Sequence, residues 1–420
     1  MNLIKKLLRT VLWAQKSSFY RERLKREKIK VNAIKTLSNF QKLPPITAQD
    51  LREHSKEFSS VSRDKIYSLY ATGGTTGKSK LIYWTEEALE NSAKAMANYL
   101  RRLFSLKGKL CIVIAPSDNL AIVGDFERKV FRNMNALIGS MGLTFTDDQR
   151  KQLITVMQAE EPYLLMGNPG RVLSLIQDFV DANVDTKKLG IKYVISGSEI
   201  LTPKTRDFIE KAFGATVFDH GGMTEVGGTT IECRAHDGQH VFESVVYAEV
   251  LNLETGEVIT EGIGELCFTT LINPAFPLVR YKTEDIVKIT HKKCSCGLKT
   301  PRIWYKCRIS ESVSLFGATL YAYQVDEALE EIKELTSAYN LRVESVGPGV
   351  TMTLVVECQK EFQHESYTKK ILQALKERIP KLNTALGSKK MNIVISFVDP
   401  ETLKRTPRGK IANRILDARS

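Results

Sequence analysis

The run Thr72-Gly73-Gly74-Thr75-Thr76-Gly77-Lys78-Ser79-Lys80 puts three glycines, three threonines, a serine and two lysines into nine residues. Glycines permit positive φ and let the backbone come close to a ligand, and the hydroxyls add donors. Successive amides in such a turn form a concavity for anions, and a lysine answers negative charge without fixed geometry. These are the needs of a polyphosphate. A P-loop of the kinase type is excluded: it requires four residues between its first glycine and the Gly-Lys-Ser/Thr end, whereas Gly73 to Gly77 leaves three and position 72 is threonine. A plain Gly/Thr surface turn also fits the composition. Residues 65–70 weigh against it, because they read as a short β-strand feeding the loop.

Four more segments carry residues suited to the same ligand. In Phe218-Asp219-His220-Gly221-Gly222-Met223-Thr224-Glu225 the pattern predicts a strand at 215–217 running into a glycine turn that presents Thr224 and Glu225. A hydroxyl and a carboxylate beside a phosphate loop suit Mg²⁺, which prefers oxygen ligands. Arg280-Tyr281-Lys282-Thr283-Glu284-Asp285, Tyr305-Lys306-Cys307-Arg308-Ile309-Ser310-Glu311-Ser312 and Thr406-Pro407-Arg408-Gly409-Lys410-Ile411 would each pass, taken alone, for a charged turn. Cys233, His236, His240, Cys294 and Cys296 offer a tetrahedral Cys/His set in which one histidine suffices. A closed four-ligand zinc shell would be structural; ordinary buried thiols are the other reading. Seven cysteines, an odd number spread widely, make no disulfide framework and are expected to be reduced.

The elements that must position these residues alternate. Apolar runs at 109–116, 161–167 and 191–197 are separated by helical spacing, which predicts parallel βαβ units with ligands at the strands' carboxyl ends, near 117–118, 167–169 and 196–199. A helix is expected over 85–103, and Thr47 with Asp50 reads as a helix cap. Strands follow at 241–251, 264–270 and 286–290. The last stretch, 312–420, reads as a small α+β unit, with helices at 320–334 and 365–378 and strands at 342–346, 351–358 and 392–398. The fold class is therefore α/β: a large N-terminal domain of βαβ units with a β-rich part, then a small α+β domain.

At 420 residues the chain exceeds one compact core. Its net charge of +13 favours anionic partners, but the basic residues are scattered, and without a stripe of interleaved aromatics nucleic acid is not expected. No apolar run reaches the roughly 20 residues of a membrane span. Residues 1–13 form a basic amphipathic helix expected to pack on its own domain, and the protein is expected in the cytoplasm.

Taken in order, these five segments resemble the motifs of the adenylate-forming superfamily, which comprises acyl- and aryl-coenzyme A synthetases, luciferases and stand-alone adenylation domains. The resemblance narrows to the phenylacetate-coenzyme A ligase branch through Phe19-Tyr20-Arg21-Glu22-Arg23-Leu24, Leu43-Pro44 before Asp50-Leu51-Arg52, the early phosphate loop, Cys294-Ser295-Cys296-Gly297 and Gly317-Ala318-Thr319-Leu320-Tyr321. It implies that Thr72, Gly73, Gly74, Thr75, Thr76, Gly77, Lys78 and Lys80 hold the phosphates of ATP. It further implies that Thr224 contacts phosphate beside Gly221 and Gly222, that Glu225 helps bind Mg²⁺, and that Asp285 accepts from the ribose hydroxyls. Arg308 would contact the nucleotide and Ser310 would be the hinge between a large adenylation domain, 1–309, and a small mobile domain, 310–420, which carries the catalytic Lys410.

The implied reaction is ATP-dependent activation of a carboxylic acid, aromatic by branch, as an acyl-adenylate, followed by transfer to the thiol of coenzyme A. A stand-alone ligase loading an acidic carrier protein, and a nucleotide-binding protein without ligase activity, remain alternatives. Relatives of this branch often form homodimers, and some carry a structural zinc at the cysteine set. Gly221 stands where the family has an aromatic residue, Glu284 where it has glycine, and Cys307 likewise.

Overall fold

Runs such as Leu110–Ile114 and Leu164–Gly167 have no polar face to give to water, so they can be satisfied only where helices cover both sides of a sheet. That is the arrangement in the computed structural model, which describes every residue except 1, 73–77, 117–119, 144, 316–317, 336–337, 348, 380–381, 383–385, 387–390, 401, 405–410, 412–413 and 420.

The hairpin of β1 (Ser68–Ala71) and β2 (Leu81–Trp84) stands as its own two-stranded sheet, with Ala71 opposite Leu81. Then β3 (Leu110–Ile114), β4 (Leu137–Met141), β5 (Leu164–Gly167), β6 (Tyr193–Gly197) and β7 (Thr216–Met223) lie parallel in the order β4-β3-β5-β6-β7. The chain leaves β3 to one side for β4 and returns on its other side as β5, so the strand order reverses at β3. Crevices at such reversals collect ligands. Two of the intervening helices start on clear local signals: Asn168 and Thr202 cap Pro169–Asp181 and Pro203–Phe213, and proline opens each at a position whose N–H needs no partner.

β8 (Gly227–Glu232), β9 (Gln239–Val241), β10 (Val246–Leu251), β11 (Val258–Ile259), β12 (Glu261–Thr270), β13 (Tyr281–Thr290) and β14 (Arg302–Arg308) continue the same sheet in the order β7-β8-β9-β14-β13-β12-β10-β11. Among the described residues it reaches twelve strands. The single strand expected over 241–251 is broken: Phe242–Val245 turn, with Val245 N–H donating to the Phe242 carbonyl at 2.8 Å, and pairing resumes at Val246. The N-terminal helix Leu3–Ala14 packs on this body through Leu7, Val11 and Ala14, and the Thr10 hydroxyl donates to the Thr270 carbonyl at 2.6 Å. Thr47 and Asp50 form the expected reciprocal capping box.

The chain divides into two compact units, Met1–Tyr305 and Lys306–Ser420, so the division falls inside β14. The second unit begins with a hairpin of β15 (Ser312–Leu315) and β16 (Ala318–Tyr321). Helices Ala322–Glu330 and Glu365–Arg378 accompany a four-stranded sheet of β17 (Tyr339–Val346), β18 (Gly349–Glu357), β19 (Met391–Val398) and β20 (Ile415–Asp417), ordered β19-β18-β17-β20. The helix expected over 320–334 is shorter, because β16 runs to Tyr321. Among the described residues no helix is long and apolar enough to cross a membrane.

Candidate active site

In the sequence the phosphate-loop candidate lies between β1 and β2. Its described ends are clamped together: the Thr72 N–H donates to the Lys80 carbonyl at 3.1 Å, and the Lys80 N–H donates to Thr72 Oγ1 at 3.3 Å. Residues 73–77 lie outside the described residues, and Lys78 is exposed. Two contacts tie the hairpin to the reversal point of the sheet. The Ala71 N–H donates to the carbonyl of Leu120, in the segment after β3, and the Tyr70 hydroxyl donates to Asp125 Oδ2 at 2.5 Å, on the helix Val123–Asn133.

Lys80 reaches inward from the loop's end. Its ammonium pairs with Glu225 Oε1 and lies 3.2 Å from the Tyr281 hydroxyl, which donates to Glu225 Oε1 at 3.0 Å. The Glu225 side chain is 3% exposed. Burial alone would raise its pKa, yet the Lys80 charge and the bonds from Lys80 and Tyr281 outweigh it and hold the carboxyl below the ordinary range. Three segments far apart in sequence therefore meet at one anionic carboxylate. Thr224 is held beside it, its carbonyl accepting from Trp84 Nε1 at 3.3 Å. Tyr281 was absent from the sequence-level candidates, although strand alternation puts it on the face of Asp285, with Thr283 between.

The segment 218–225 differs from expectation. The strand does not stop before the glycines: β7 runs through Gly221 and Gly222 to Met223, and the turn comes at Thr224-Glu225-Val226. Gly221 and Gly222 instead mark where β7 trades parallel pairing with β6 for antiparallel pairing with β8, with a register shift between them. A Cβ on Gly222 would sit 2.8 Å from the Gly227 carbonyl oxygen, so close backbone approach explains that glycine.

A second buried pair lies nearby. His220 Nδ1 lies 2.7 Å from the Thr230 carbonyl and acts there as donor, which leaves Nε2 unprotonated and 3.7 Å from Glu127 Oε1. Burial lowers the His220 pKa to about 4 and raises that of Glu127 to about 8, so both are neutral near pH 7. Glu127 Oε2 has no partner among the described residues. Asp219 is pushed up to about 8, first by burial and then by the Glu232 carboxylate; its Oδ2 accepts from Gln239 Nε2 at 2.6 Å.

In 280–285, Arg280 is a structural residue. It lies buried at φ +53°, its Nε donates to Glu249 Oε2 at 3.1 Å, and NH1 donates to the Leu43 carbonyl at 2.5 Å. Glu284, which replaces a glycine, does adopt the conformation that favours glycine, at φ +65°. Asp285 is buried in β13, and its N–H donates to Thr283 Oγ1 at 3.1 Å. Its charge is felt by Tyr305, whose hydroxyl pKa is raised first by burial and then by Asp285. In the second unit the Arg308 N–H donates to Glu311 Oε2 at 3.0 Å, and Ser310 occupies the turn between β14 and β15. Lys410 lies outside the described residues.

The cysteines converge. The ligand atoms of Cys233, His240, Cys294 and Cys296 all lie within 4.8 Å of one another, the Cys233 and Cys294 sulfurs are 3.7 Å apart, and Cys296 Sγ lies 3.3 Å from His240 Nε2. A tetrahedron built on zinc–sulfur bonds has edges of about 3.8 Å, so the donor set fits zinc. His240 Nδ1 lies 2.9 Å from Thr300 Oγ1, which orients the ring and points Nε2 at the sulfurs. His236 does not belong. Its Nδ1 lies 3.3 Å from Glu232 Oε2 and 3.2 Å from Arg206 NH1, and its ring stacks on Phe218 at 5.2 Å.

Residues 8–271 match the family described as AMP-binding enzyme, and residues 317–419 match the AMP-binding enzyme C-terminal domain. The chain is 26% identical over 419 residues to a phenylacetate-coenzyme A ligase of Thermus thermophilus, covering 96% of this chain and 92% of the relative. It is 25% identical over 351 residues to the Escherichia coli phenylacetate-coenzyme A ligase, covering 81% and 78%. Its fold superposes on that of 2-hydroxyisobutyryl-CoA ligase in complex with an acyl-AMP, with TM-score 0.81 at 19% identity, over 99% of this chain and 88% of the other.

Proposed function

The chain belongs to the AMP-binding enzyme family, and on that premise we propose that it is an AMP-forming acid–thiol ligase: it activates an aromatic carboxylic acid with ATP, releases pyrophosphate, and transfers the acyl group to coenzyme A in the cytoplasm. The observation that carries the reading is the meeting of Lys80, the last residue of the segment rich in phosphate donors, with Glu225 and Tyr281, three residues from separated motifs.

In this reading residues 72–80 cradle the phosphates, with Lys78 and Lys80 answering their charge and Thr224 adding a hydroxyl. Asp285 accepts from the ribose, and Arg308 and Lys410 come from the second unit, with Ser310 as the hinge. Glu225, kept anionic by its neighbours, fits a hard oxygen-preferring cation, and Mg²⁺ bound there with ATP would neutralise phosphate charge. The acid's carboxylate attacks the α-phosphorus, the bond to pyrophosphate breaks, and the adenylate's carbonyl carbon then takes the thiolate with loss of AMP. Lys410 answers the charge that develops in the first step. Cys233, His240, Cys294 and Cys296 hold a structural zinc that pins the β8–β9 and β13–β14 connections to each other.

Carboxylate-dependent exchange of labelled pyrophosphate into ATP, run over a panel of aryl and short-chain acids, tests the adenylation; exchange with no acid would leave only a nucleotide-binding protein. Thioester formation with free coenzyme A, and none with an acidic carrier protein, is the expected second result, and the reverse would move the chain to carrier loading. Elemental analysis should find one zinc per chain in the purified protein and less than half as much in Cys294→Ser.

A further inference from the structure

Lysine and arginine occur throughout the chain, but their surplus over acid does not. The first 35 residues hold eleven of them against two acids, Glu22 and Glu27, which leaves 50 against 46 over the other 385 residues. Nine of the thirteen net positive charges therefore belong to the helices Leu3–Ala14 and Ser18–Arg26 and the short stretches beside them. No acid precedes Glu22, and Glu27 is already engaged, its Oε1 lying 3.1 Å from Arg23 Nε and 3.5 Å from Arg26 NH2. Lys5, Lys16, Arg21, Lys25 and Lys28 are all exposed.

The helix Leu3–Ala14 packs on the first unit as expected, but it uses one side to do so. Leu7, Val11 and Ala14 face the body and the Thr10 bond to Thr270 fixes the helix there, so the other side is held out on a rigid support. On that side a spacing of seven residues stacks Leu12 over Lys5, and Leu12 is 53% exposed. A leucine turned to water on a helix that already buries an apolar stripe has no part in the core. It lines an open hollow of about 700 Å³ together with Arg9, Trp13, Gln15, Lys16 and Arg21. Arg9 NH2 donates to the Leu271 carbonyl at 2.7 Å, and its guanidinium lies 4.9 Å from the Trp13 ring, which holds the partly exposed indole in place. An exposed leucine and an indole beside three cations combine the two attractions of an anionic bilayer surface: apolar area enters the headgroup region, and the charges face lipid phosphates. Nucleic acid would answer the charge but gives Leu12 no burial.

We propose that the helices Leu3–Ala14 and Ser18–Arg26 form a docking surface for an anionic bilayer, with Leu12 and Trp13 entering the headgroup region and Lys5, Lys16 and Arg21 facing lipid phosphates. The protein lies on the membrane rather than spanning it. Each cation close to such a surface is worth about a fivefold change in partition, so replacing three should weaken binding by about a hundredfold. Loss of the leucine should weaken it by about tenfold.

The experiment is cosedimentation of the full chain with phosphatidylcholine vesicles, with and without phosphatidylglycerol, at low and high salt, for wild type, Leu12→Ser and Lys5→Gln/Lys16→Gln/Arg21→Gln. The wild type should partition onto the anionic vesicles at least about tenfold more strongly than onto the neutral ones, and high salt should remove most of that difference. Both variants should bind less by the factors above while their melting temperatures stay at the wild-type value, because all four side chains are exposed. Equal partition of the wild type onto neutral and anionic vesicles, or partition onto neither, would overturn the proposal, as would full binding in either variant. Binding of a DNA duplex that falls in the triple variant but not in Leu12→Ser, with the vesicles left unbound, would assign the surface to nucleic acid and overturn it as well.

Discussion

Glu225 and Glu127 are both glutamates with 2% of their surface exposed, and they are driven to opposite protonation states. Around Glu225 a lysine and a tyrosine supply more favourable interaction with the anion than burial removes, so the charge stays. Glu127 meets a histidine that is itself neutral, at 3.7 Å, and burial is the one cause acting on it. Depth alone therefore does not decide whether a carboxyl is charged; what stands beside it does. The difference also separates chemistry from packing, since an anion kept at a cost in desolvation is available to a cation, and a neutral acid in the core is not.

The sharpest way to break that contrast is Lys80→Met. Removing one partner of a buried pair leaves an uncompensated charge, which costs about 3–5 kcal/mol, so the melting temperature should drop and Glu225 should take up a proton. Pyrophosphate exchange should fall by about a hundredfold or more. Unchanged stability in urea unfolding would mean that Lys80 and Glu225 are not paired in solution.

Glu127→Gln sharpens the contrast from the other side. A carboxyl raised to about 8 when folded binds its proton more tightly than in the unfolded chain, so its contribution to stability is complete below about pH 4.5 and is lost as pH rises through about 8. His220, lowered to about 4, works in the acid range: its contribution is present above about pH 6.5 and is lost as pH falls through about 4. Between pH 7 and pH 9 the wild type should therefore lose about 1 kcal/mol through Glu127, with Asp219 adding to the fall in the same direction. Glu127→Gln should flatten that loss in denaturant titrations at the two pH values. An identical slope in the variant would show that Glu127 is already ionised.

The same contrast marks what the sequence could reveal. Glu225, Lys80 and Asp285 stand in short motifs whose spacing is local, and the core strands β3, β5 and β6 stand in apolar runs that declare themselves. Tyr281 was missed because its role depends on a neighbour 56 residues away, and nothing in its own segment separates it from a core tyrosine. His236 and His240 differ by four residues and could not be told apart as ligands until Glu232 and Phe218 claimed the first. The glycines at 221 and 222 read as a turn because glycine pairs commonly are one; a switch from parallel to antiparallel pairing is a property of the sheet, not of the segment.

A third glutamate supplies the smallest test. Glu284 has a half-exposed side chain whose contact with Arg52 is 3.9 Å long, so its charge contributes little to stability. Its cost is in the backbone, where φ of +65° crowds a Cβ that glycine lacks. Glycine is freer in the unfolded chain, which takes back part of the gain. Glu284→Gly should therefore stabilise the fold by about 0.5–1 kcal/mol, read as a shift in the urea midpoint without a change in slope. A destabilised variant would mean that the Glu284 side chain, like that of Glu225, is held by a partner worth more than the strain it imposes.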